Sequence, residues 1–100
     1  MERHPGRENA IGLYLKDHLS RVKIRVSEDR SKLAIVFCIE DDRRRPQHRL
    51  EIRADVIANH DAQELEDILD AQCVIERLRT AGPKPVVVST DGQRSEGREG

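Results

Sequence analysis

Arg21-Val22-Lys23-Ile24-Arg25-Val26, Leu33-Ala34-Ile35-Val36-Phe37-Cys38-Ile39 and Arg49-Leu50-Glu51-Ile52-Arg53-Ala54-Asp55-Val56 are the three stretches on which the fold turns. The first and third alternate polar and apolar residues, the pattern of a strand buried on one face. The middle stretch is apolar on both faces, as expected of a central strand covered on both sides. Ser27 to Ser31 and Asp41 to Gln47 are polar and read as turns, so the three segments form an antiparallel meander. The inward face of that sheet is expected to carry Val22, Ile24, Val26, Leu33, Ile35, Phe37, Ile39, Leu50, Ile52, Ala54 and Val56.

Helical patterns flank the meander. Ile11, Tyr14, Leu15 and His18 share one face of a helix expected over about residues 8–20, with residues 1–7 a loose, disordered end. A longer helix is expected over about residues 61–80. Asp61 and Glu64 have the spacing of a capping box, and Arg77 and Arg79 near the far end suit the helix dipole. Its apolar arc of Ala62, Leu65, Ile68, Leu69, Cys73, Ile75 and Leu78 is broad. Gly82, suited to a left-handed cap, and Pro83 stop it. Pro85 to Val88 reads as a short fourth strand whose flanking prolines favour an edge position or an extended arm. Residues 91–100 are polar and Gly-rich and are expected to be disordered. The expected architecture is α+β, in the order α-β-β-β-α with an optional last strand, as one domain over residues 8–90.

Composition bounds the function. The chain has 100 residues, 37% charged and 2% aromatic, and 18 basic side chains nearly balance 19 acidic ones. No apolar run is long enough to span a bilayer and no signal peptide opens the chain, so a cytoplasmic location is expected. Cys38 and Cys73 lie far apart in apolar surroundings, and both are expected to be structural, reduced thiols. His4, His18, His48 and His60 are scattered without metal-ligand spacing. There is no nucleophile elbow, P-loop or dinucleotide fingerprint. The expectation is therefore no enzyme, no catalytic residue, no metal, no cofactor and no small-molecule ligand.

The charge is unevenly placed. Residues 1–57 carry a net +3 and residues 58–82 a net −4, which favours either an anionic partner or self-association. Arg21, Lys23, Arg25, Arg49 and Arg53 are expected on the outer sheet face around Val36 and Cys38, with Glu51 among them. Arg43, Arg44 and Arg45 add a basic turn beside His48. The α-β-β-β-α order is similar to the topology of the double-stranded-RNA-binding domain, a family that presents lysines to phosphate at the start of its second helix. Here that place reads Asn59-His60-Asp61-Ala62-Gln63-Glu64, which is acidic, and the likeness is one of topology, which does not carry function.

Two functions follow as expectations. The first is a non-catalytic protein-interaction domain, self-associating as a homodimer, through Val36 and Cys38 on the outer face and Val86, Val87 and Val88 on the last strand. The alternative is a nucleic-acid-binding module using Arg21, Lys23, Arg25, Arg43, Arg44, Arg45, Arg49 and Arg53, although the aromatic platforms that single strands stack on are missing.

Overall fold

A computed structural model describes residues 2–89, which fold into two layers. The elements run α1 (Pro5–His18), β1 (Lys23–Asp29), β2 (Ala34–Glu40), β3 (Pro46–Arg53), α2 (Ala54–Ala58), α3 (Ala62–Ala71), α4 (Val74–Ala81) and β4 (Pro85–Val88). The α+β class and the antiparallel β1-β2-β3 meander agree with the sequence, and β4 completes the sheet in the order β1-β2-β3-β4. β4 runs parallel to β3, with Leu50 beside Val86 and Ile52 beside Val88. Parallel neighbours need a crossover, and α2, α3 and α4 supply it.

The helical layer lies on one face of the sheet. Ile35, Phe37 and Ile39 of β2, Leu50 and Ile52 of β3, and Val86 and Val88 of β4 meet Ile11 and Leu15 of α1, Leu65 and Leu69 of α3, and Val74 and Leu78 of α4 in one core. The aliphatic core is centred on Phe37, which is fully buried. Val22, Ile24 and Val26 are only half-buried against it, because β1 lies at the margin of the sheet.

Several boundaries differ from expectation. α1 starts at Pro5, so Pro5 to Arg7 belong to the helix. Proline at the first helical position brings its φ already set and lacks only an N–H that would have no intrahelical acceptor. His18 is exposed and bonds the Tyr14 carbonyl through Nδ1 at 3.0 Å. Leu33 sits in the β1–β2 turn with φ 51° and 55% exposure instead of facing inward. The turn is organised by Asp29, whose Oδ1 accepts from Ser31 N (3.1 Å), Ser31 Oγ (2.7 Å) and Lys32 N (3.3 Å). β3 ends at Arg53, and Val56 enters the core from α2 together with its neighbour Ile57.

The expected long helix is two helices broken at Cys73, whose φ is 53°. The reason lies in the spacing of the buried residues Leu65, Leu69, Val74 and Leu78. Steps of four keep side chains on one helical face, but the step of five from Leu69 to Val74 would swing Val74 about 140° away. A left-handed residue between the two segments returns Val74 and Leu78 to the core. It also leaves Cys73 exposed rather than buried. Asp61 and Glu64 do form the capping box of α3, at 2.8 and 2.9 Å. Gly82 caps α4 with φ 61°.

Candidate interaction surface

The pleat sends alternate side chains to opposite faces, so the outer face can be read from the strand register. One row across it holds Ser27, Val36, Glu51 and Val87; the next holds Arg25, Cys38, Arg49 and Pro85. Asp29, Ala34 and Arg53 make a third row, and Lys23 beside Glu40 a fourth. Among the described residues no element lies over this face. Lys23, Arg25, Ser27, Arg53 and Val87 are exposed, whereas Val36 is buried between its neighbours.

Two carboxylates organise the charge. Glu51, 2% exposed, accepts from Arg49 Nε at 2.8 Å and Lys32 Nζ at 3.4 Å. Glu40, 7% exposed, accepts from Arg25 at 2.5 Å. Burying a carboxylate is costly unless it is paired and hydrogen-bonded, and these bonds supply the pairing. The Glu51 contact in turn raises the pKa of Arg49. Lys23 and Arg53 have no ion-pair partner among the described residues. Two exposed apolar groups, Leu33 and Val87 (47% exposed), flank an open depression lined also by Ser31, Lys32, Ala34, Glu51 and Arg53.

The residues expected to act together are thus only partly assembled. Lys23, Arg25, Arg49, Arg53, Val36 and Cys38 share the outer face. Val86 and Val88, expected as interface residues, point inward and are 5% and 0% exposed, so they are spent on the monomer's own core. β4 packs its even-numbered residues against α4, leaving Val87 as the presented valine. Arg21 stands before β1 with φ 57°. Arg43, Arg44 and Arg45 are exposed in the β2–β3 turn, where Asp41 Oδ1 accepts from the backbone N–H groups of Arg45 (2.8 Å) and Arg43 (2.9 Å). These bonds, Arg45 first, hold the Asp41 carboxyl below its usual range.

Lys32, Leu33 and Glu40 are members of this surface that the sequence pattern passes over. Leu33 follows the odd-numbered alternation of β2, and only the turn geometry separates it. Glu40 falls between the apolar run ending at Ile39 and the turn expected from Asp41, yet it pairs with Lys23 across the ladder. Among the described residues, no three His, Cys, Asp or Glu side chains gather where they could hold a metal ion. Among the described residues no helix is long and apolar enough to cross a membrane. Comparisons of the chain with protein families, with curated proteins and with solved structures find no match.

Proposed function

We propose that the protein is a non-catalytic protein-interaction domain that self-associates. The observation that carries this reading is that, among the described residues, the sheet is covered on one side: helices pack on its inner face, while its outer face and β1 margin present backbone and side chains to whatever docks there. The outer face also favours a protein over a phosphate backbone. Arg25 and Arg49 are engaged by Glu40 and Glu51, and a polyanion would have to displace those carboxylates. Leu33 and Val87 add apolar contact area of the kind that protein interfaces bury.

Size-exclusion chromatography with light scattering tests this reading. A mass of twice 11.5 kDa that persists in high salt, with no excess absorbance at 260 nm, is the expected result. A monomer at every concentration contradicts it. Nucleic-acid binding is the second reading, favoured by the exposed Arg43, Arg44 and Arg45 of the β2–β3 turn. It predicts co-purifying 260 nm absorbance that salt removes, since phosphate contacts weaken steeply as salt rises.

A further inference from the structure

We infer that β1 is the surface through which two copies of this chain join, by antiparallel pairing of β1 with the β1 of a second copy about a two-fold axis at Val26. The inference rests on the self-association proposed above and gives it a place and a register. The two margins of the sheet are β1 and β4. β4 has four residues, and its Val87 carbonyl already accepts from Arg77 at 3.4 Å. β1 has seven residues and no proline, and among the described residues no strand pairs with its far side. A long open edge is a template for another strand unless something blocks it.

The residues of β1 make it complementary to itself. In an antiparallel pair, residues directly opposite share a face, so the axis of a symmetric pair must pass through a residue position and not between two. An axis at Arg25 would set the two Arg25 side chains against each other, and an axis at Ile24 would set Lys23 against Arg25. With the axis at Val26, Lys23 lies opposite the partner's Asp29 and Arg25 opposite the partner's Ser27, on the outer face. All seven residues of β1 are then paired. An axis at Ser27 pairs only residues 25–29.

Opposite charges across a ladder stabilise it and like charges oppose it, so charge excludes the Arg25 and Ile24 axes, and the number of paired residues favours Val26 over Ser27. Asp29 is free to take part, because its three turn bonds all use Oδ1. On the inner face the axis brings Val26 against the partner's Val26 and Ile24 against the partner's Glu28. Glu28 is already neutralised by Arg3 at 3.2 Å and Arg30 at 3.1 Å.

The ground beside β1 also fits a second copy. A groove between α1 and β1 is lined by Leu13, Ile24 and Val26 together with Glu8, Asn9 and Lys16, with Leu13 59% exposed. Ile24 and Val26 are half-buried. Joining two sheets at β1 brings the two grooves, and hence Leu13, Ile24 and Val26 of each copy, toward each other. Both outer faces stay on the same side of one eight-stranded sheet, so the open face proposed above remains available.

The test combines sedimentation with one exposed position and one cross-link. Ser27→Glu sets a carboxylate opposite the partner's Arg25 twice and is expected to tighten the dimer several-fold; Ser27→Lys is expected to weaken it about tenfold. In a background with Cys38→Ser and Cys73→Ser, Val26→Cys is expected to form an intermolecular disulfide on mild oxidation. Its Cα atoms would stand about 5 Å apart, within disulfide reach. Ser27→Cys is offset by two residues from its own copy, roughly 8 Å away, and is expected to stay reduced. A wild-type dimer that ignores both Ser27 charges and leaves Val26→Cys uncoupled overturns the β1 pairing while self-association stands. A wild-type monomer at every concentration overturns both.

Discussion

The two margins of the sheet are built to opposite ends. At β4 the chain spends its resources closing an edge: the strand is short, Pro83 and Pro85 precede its valines, and Arg77 reaches a backbone carbonyl. At β1 the edge is long and regular, and its charges run from basic at Lys23 and Arg25 to acidic at Glu28 and Asp29. A strand guarded by charges of one sign repels its own copy. A strand whose charges change sign along its length attracts an antiparallel copy. The difference teaches that the guarding of an edge has to be judged on the order of its charges as well as on their number.

The largest effects should come from the inward side of β4. Val88→Asp puts a charge where the wild-type side chain is fully buried, and a loss of about 3 kcal/mol or more is expected in chemical denaturation. Val87→Lys, one residue away on the exposed side and opposite the Glu51 carboxylate, is expected to change stability by less than about 0.5 kcal/mol. Equal losses at the two positions would break the assignment of β4 and with it the contrast between the edges.

A smaller, pH-dependent effect is expected beside β1. Arg3 makes two 2.7 Å bonds to Glu8 and also reaches Glu28. The Arg3 bond holds the Glu8 carboxyl below its ordinary value of 4.5. A carboxyl depressed in the folded state stabilises the fold above its unfolded pKa, and that contribution fades as pH falls through the folded value. Thermal melts between about pH 6 and pH 3 should therefore show a steeper loss for the wild type than for Glu8→Gln. Parallel curves would mean that the Arg3 cluster does not brace the α1 end of the β1 margin.

A small change in stability is also expected at Arg77. Its bond to the Val87 carbonyl is long, at 3.4 Å, and solvent-exposed, so Arg77→Ala should cost no more than about 1 kcal/mol. If the β4 edge is closed by its length and prolines, the variant keeps the wild-type oligomeric state in sedimentation. A higher oligomer would show that Arg77 alone keeps β4 from pairing.

The meander was legible because each strand satisfies one face: Arg21 to Val26 and Arg49 to Arg53 alternate, and β3 holds the second stretch, whereas β1 begins only at Lys23 and runs on through Ser27 to Asp29, residues expected in the turn. The outer-face grouping of Lys23, Arg25, Arg49 and Arg53 with Val36 and Cys38 followed from the same alternation. The break at Cys73 was harder to see, because the extra residue between Leu69 and Val74 falls inside a broad apolar arc that a single helix also explains. Val86, Val87 and Val88 are one residue type repeated, so no alternation shows which of them face the core; pairing with β3 decides it. Leu33 and Glu40 lie where a strand meets a turn, and their faces depend on where the ladder starts and on the irregularity between Ile39 and Glu40. The edge character of β1 depends on sheet order, which the three meander strands alone leave open.

Hydrogen exchange at the backbone amides of β1 and β4, compared at low and high protein concentration, tests the account most directly. Pairing of β1 with a second copy predicts that the edge-facing amides of residues 23–29 exchange more slowly as concentration rises, while those of residues 85–88 keep one rate. Exchange at β1 that is fast and independent of concentration, in a sample that sediments as a dimer, would contradict it.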